Sequence, residues 1–100
     1  MTTAPTPTLP FIHSNGTGAE TLLEGYRNAM EKIQDAQAAL GAIEFNARDY
    51  YPVAGSWDSA SAEMRARRES LAKIYDELLA IAIHCSDHVA MVEARRQNKI

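Results

Sequence analysis

Residues 71–83, Leu71-Ala72-Lys73-Ile74-Tyr75-Asp76-Glu77-Leu78-Leu79-Ala80-Ile81-Ala82-Ile83, decide the fold. Leu71, Ile74, Leu78 and Ile81 recur at steps of three and four, the spacing that puts side chains on one face of an α-helix. Tyr75, Leu79, Ala82 and Ile83 lie beside that row, so the segment is apolar around more than half its circumference. One neighbouring helix cannot cover so wide a stripe, and partners beyond a simple hairpin are expected.

The same row extends backward through Arg67, Met64 and Ala60 and forward through Cys85, His88 and Val92. It predicts a helix over about 57–95. Ser86-Asp87 marks where that helix can break in two, because both side chains compete for backbone hydrogen bonds. Arg95, Arg96 and Lys99 complement a helix C-terminus. Upstream, Leu22, Tyr26, Ala29, Ile33, Ala36, Leu40 and Ile43 form a second three-four row, widened by Leu23 and Met30, and predict a helix over about 18–44. Thr17-Gly18-Ala19-Glu20 has the form of a capping box at its start, and the small Ala29 and Ala36 would let a partner helix approach closely.

Residues 45–56 form the connection, long for two packed helices, in which Pro52 disfavours helix at Tyr51 and Gly55-Ser56 fits a turn ending in an N-cap. The fold class is therefore all-α: an antiparallel hairpin of two long helices, assembling into an oligomeric bundle. Residues 1–10, with three prolines, four threonines and no charged side chain, suit a flexible arm ahead of a single domain over 11–100.

Composition narrows the function. One hundred residues make one domain that buries little surface by itself, and the single Cys85 allows no internal disulfide. Self-association is the remaining source of stability. A net charge of −3 argues against bulk nucleic acid as a partner, although residues 51–100 hold seven of the ten basic side chains. No segment has the roughly 20 apolar residues of a membrane span, and the first residues lack the features of a secretory leader, so a cytoplasmic protein is expected. The glycosylation pattern Asn15-Gly16-Thr17 then counts as coincidence.

Four clusters offer chemistry. The turn His13-Ser14-Asn15-Gly16-Thr17-Gly18 precedes a helix N-terminus and resembles a nest for phosphate, or simply starts a helix. Arg48-Asp49-Tyr50-Tyr51 sets a guanidinium beside two rings, suited to holding phosphate while stacking a base. The plain alternative pairs Arg48 with Glu44 or Asp49 and lets the tyrosines close the bundle. Arg65, Arg67 and Arg68 read as solvated, with Glu69 and Glu63 spaced to pair with Arg65 and Arg67; Arg67 also falls on the interior row, where a charge needs a partner or an anionic ligand. His84 and His88 share a helical face and the hairpin puts His13 at the same end, but HExxH spacing is missing, and no metal or cofactor is assigned. No nucleophile elbow, Ser-His-Asp order or phosphate-cradling lysine is visible, so an enzyme is not expected.

Phe11-Ile12-His13 ahead of a helix, an aromatic and arginine-bearing linker, and Arg68-Glu69-Ser70-Leu71-Ala72 entering an apolar helix together form a layout over about residues 11–83. This layout resembles the small bacteriophage-encoded helical sponges of the anti-CBASS type, which sequester cyclic nucleotide immune signals. The resemblance implies a non-enzymatic homo-oligomer in the host bacterial cytoplasm that binds a small phosphorylated nucleotide between subunits. His13, Asn15, Gly16, Thr17, Arg48, Tyr50, Tyr51 and Arg67 are the expected contacts. The long connection and the Asn15-Gly16-Thr17 turn depart from that type, which makes a cyclic ADP-ribose an alternative ligand. A different class of function, an inhibitor or assembly adaptor binding a host or phage protein through an exposed helix face, fits the same sequence.

Overall fold

A computed structural model describes residues 6–98. Two helices, α1 over Ala19–Gly41 and α2 over Ser56–Gln97, pack against each other as an antiparallel hairpin, joined by a connection that contains a single short 3-10 turn at Ala47–Asp49. At 1.5 Å per residue they are about 35 and about 63 Å long, so α2 outruns α1. The far end of α1, at Gln37, Leu40 and Gly41, lies beside Arg68, and its start lies beside Val89 and Glu93. The first turns of α2 extend past α1, and there the connection folds back on them: Phe45 lies 4.8 Å and Tyr50 5.7 Å, centroid to centroid, from Trp57.

The capping box does not form. Gly18, with extended backbone, is the N-cap of α1, and no side chain caps it; the first helical bond runs from the Leu22 amide to the Gly18 carbonyl at 3.0 Å. With the cap one residue later than the sequence indicates, Glu20 falls at the second helical position, out of register for the reciprocal bond that a box requires. Glu20 still favours the helix through its charge in the first turn. At the other end α1 stops at Gly41, not near 44, as the Ala42 and Ile43 amides close onto the Ala38, Ala39 and Leu40 carbonyls.

The α2 helix is unbroken through Ser86-Asp87. Ala82 and Cys85 are buried and Val89 half-buried on either side of the pair, and burial of that face outweighs the local competition by two short polar side chains. Its N-cap is Gly55, at φ 76°, rather than Ser56. That left-handed conformation favours glycine, so Gly55→Ala is expected to lower stability by about 1 kcal/mol, readable as a lower urea midpoint with unchanged helical content.

The interhelical seam departs from the row read in the sequence at a few positions only: Ala36 on α1, Ile43 beyond its end, and Arg67 and Ile74 on α2 are exposed. On α1 the partly or fully buried side chains are Ala19, Leu22, Leu23, Tyr26, Ala29, Met30, Ile33, Gln37 and Leu40. The long stems of Met30 and Gln37 cover more of the partner helix than the methyl groups of Ala29 and Ala36 can. On α2 the inward row includes Met64, Leu71, Tyr75, Leu78, Ala82, Cys85 and Val89. Gln34 Nε2 donates to the Tyr75 hydroxyl at 3.3 Å across the seam.

Residues 1–5 of the arm lie outside the described residues. The arm's end is docked: the Pro10 carbonyl accepts a hydrogen bond from His84 Nε2 at 2.9 Å. Among the described residues the buried hydrophobic side chains are Met30, Met64, Ile81, Ala82 and Cys85, of which only Cys85 is fully buried, a small core for a molecule measuring 74 × 29 × 22 Å. The radius of gyration is 20.1 Å, against about 13 Å for a compact domain of this length.

Candidate functional site

At the arm end of the hairpin the turn, the start of α1 and the last turns of α2 enclose a groove of about 750 Å³. Ile12, His13, Gly18 and Glu20 line one side, and His88, Val89, Val92, Glu93 and Arg96 the other. His88, Val92 and Arg96 fall at intervals of four, so one stripe of α2 supplies an imidazole, an apolar floor and a guanidinium. The first-turn amide hydrogens of α1 face this end of the helix without a side-chain cap and carry its positive dipole end.

Local sequence fixes His13. The Gly16 amide donates to the His13 carbonyl at 3.2 Å, closing a four-residue turn, and a Cβ on Gly16 would stand 2.9 Å from His13 Nε2. Glycine therefore lets the imidazole lie against the backbone. Phe11 stacks on that ring, with centroids 5.9 Å apart and planes inclined by 27°.

The groove holds opposing charges, Arg96 against Glu20 and Glu93, with two imidazoles beside them. The ion pairs of the described residues are Lys32–Asp35 at 4.0 Å and Arg67–Glu63 at 3.9 Å, so Arg96 makes none. Its five donors remain open to an anionic group with planar or tetrahedral oxygens.

The expected contacts separate. His13 lines the groove, whereas Asn15, Gly16 and Thr17 belong to the adjoining exposed turn and do not line it. Arg48, Tyr50 and Tyr51 lie at the opposite end. Tyr50 is half-buried in an aromatic cluster with Phe45 and Trp57, the structural role that the plain reading gave the tyrosines. Tyr51 is 78% exposed, and Arg48 is exposed as well.

Arg67 follows the solvated reading and not the interior one: it is exposed and pairs with Glu63 one turn earlier at 3.9 Å. Hydration spares the cost of burying its charge. A smaller depression of about 380 Å³ at the connection end is lined by Phe45, Trp57, Ser61, Met64, Arg65 and Arg68. The arginines beside aromatic rings at that end are thus Arg65 and Arg68, in place of Arg48.

The sequence placed His88 at the same end as His13, but as a metal ligand, and Arg96 was not read as a groove residue. The spacing of eight between His88 and Arg96 on one helix was visible, but Arg96 read equally well as a charge complementing the helix end. Among the described residues no group of three or more His, Cys, Asp or Glu side chains is arranged to hold a metal ion, and His84 is engaged with Pro10. Burial pushes the Cys85 thiol above its ordinary pKa, which keeps it protonated and poorly nucleophilic.

No helix of the described residues is long and apolar enough to cross a membrane. Comparison with family models, with curated proteins and with solved structures gave no match.

Proposed function

We propose that the protein is a non-enzymatic, self-associating helical module that captures a small phosphorylated nucleotide signal. The observation that carries this reading is the arm-end groove, where Arg96, which has no ion-pair partner among the described residues, converges with His13, His88 and the uncapped start of α1 on one space. Guanidinium and helix-end donors of this kind suit a phosphate group. Arg48 and Tyr51 can join such a ligand only from another copy of the chain, because they stand at the far end of their own. A cyclic oligonucleotide or cyclic ADP-ribose as ligand, a bacteriophage source and action in the host bacterial cytoplasm follow from the sequence resemblance.

Isothermal titration with a panel of cyclic nucleotides and cyclic ADP-ribose isomers tests the proposal. One member is expected to bind at micromolar concentration or tighter, to be recovered chemically intact, and to lose about 10-fold or more in affinity on Arg96→Ala. Absence of binding across the panel at micromolar concentrations would sink it.

A second reading, an adaptor for another protein, is favoured by Leu79 and Ile83, which stand 37% and 51% exposed on α2. A stoichiometric protein complex lost on Ile83→Lys but indifferent to Arg96→Ala would select it.

A further inference from the structure

Ala29 and Ala36 on α1, followed by Ile43 just beyond its end, and Ile74 and Ile81 on α2, repeat at seven-residue intervals, which puts the helical ones along one flank of the seam. Antiparallel helices are related by a two-fold axis normal to their common plane, and equal rotations from the seam stay on the same side. The two rows therefore share one face of the hairpin.

Burial along that face is uneven. Ile81 is 9% exposed, close to where the arm ties onto His84, yet Ile74, two turns away on the same stripe, is 45% exposed. Ile43 is 51% exposed and Ala36 is exposed as well. The arm thus covers one end of an apolar stripe whose remainder faces outward.

We propose that a second copy of this chain covers the remainder, forming a two-fold four-helix bundle over Ala29, Ala36, Ile43 and Ile74. The surface area argues for a partner of this size. The chain exposes 7828 Å², against about 5,600 Å² for a monomer of its mass. The difference, about 2,200 Å², lies within what a chain gives up in an obligate homodimer. The charges argue for a self-complementary partner: Lys32 and Arg67 flank the stripe together with Glu63 and Glu77, two of each sign, which suits an interface that meets its own copy. Alanines at positions 29 and 36 allow the close helix approach that such a bundle requires.

The inference gives a face to the self-association named in the proposed function and does not depend on the ligand. Its test is made without ligand, so the two can fail separately. Sedimentation equilibrium of the full chain is expected to give a dimer at micromolar concentration, with a melting temperature that rises with protein concentration. Ala36→Arg and Ile74→Lys are each expected to weaken the dimer about 100-fold while circular dichroism stays helical, and Ile83→Lys, on the opposite flank, to leave it intact. Both substituted positions on the stripe are exposed in the single chain, and should Ala36→Arg fail to fold, Ile74→Lys reads the same face from the other helix. A monomeric wild type with a concentration-independent melting temperature would overturn the proposal. So would a dimer broken by Ile83→Lys and untouched by Ile74→Lys.

Discussion

Cys85→Asp is expected to remove most of the folding stability at pH 7. Cys85 has no exposed surface and shares the small core with Ile81 and Ala82. Aspartate is close to cysteine in size, so the substitution changes chemistry more than packing. An unpaired carboxylate at a buried site costs about 3–5 kcal/mol, a large part of the roughly 5 kcal/mol available to a small domain. The sign of the pH dependence follows from the same burial. The carboxyl would have a folded-state pKa raised above the unfolded value of about 4. The penalty is therefore full above the folded pKa and shrinks as pH falls through it, disappearing below the unfolded value. Urea melts of Cys85→Asp against Cys85→Ala, at pH 7 and near pH 4, measure this. A gap between the two that did not narrow in acid would contradict the burial of this site. Wild-type stability has the related dependence at the alkaline end: the raised thiol pKa contributes fully below the unfolded value and is lost as pH rises beyond it.

Trp57→Ala is the second large effect, at about 3 kcal/mol. The indole packs against Phe45 and Tyr50, and the three rings join the connection to the part of α2 that α1 does not reach. Removing the indole leaves Phe45 and Tyr50 in contact with each other but takes away the ring by which both hold α2, and frees the connection to move away from the helix. The damage is expected to be uneven. Hydrogen exchange should accelerate over residues 56–66, where the rings are the main cover, and change little around Ala82 and Cys85. Tyr51→Ala, at a 78% exposed position, is the control and should fall within about 0.5 kcal/mol of wild type. Uniform loss of protection along α2 would show that the long helix unfolds as one unit.

The all-α hairpin was legible because residues 71–83 and the Leu22-to-Leu40 row have helical spacing, and the space between them contains proline and glycine. Single positions of the seam were harder to read. Gln37 is half-buried where Ala36 is exposed, and the choice between adjacent residues rests on side-chain reach, which periodicity does not encode. Arg67 could be read both ways, as a solvated partner of Glu63 or as a charge on the interior row, and hydration decided for the first. Ser86-Asp87 read as a break because local propensity was weighed without the packing of Ala82, Cys85 and Val89. At the groove, the meeting of His13 with His88 was legible from the hairpin, but Arg96 was not, because its place beside the turn depends on where α2 stops relative to α1.

The fold-back of the connection has a kinetic consequence. The ring cluster joins residues close in sequence, whereas the bond from His84 to Pro10 spans 74 positions. Loop-closure entropy favours the short connection first, with helix pairing advancing from it toward the arm. The bond at Pro10 is then expected to close after the ring cluster. Anything bound in the groove beside it joins the turn to the last turns of α2 and acts as a clasp on the hairpin.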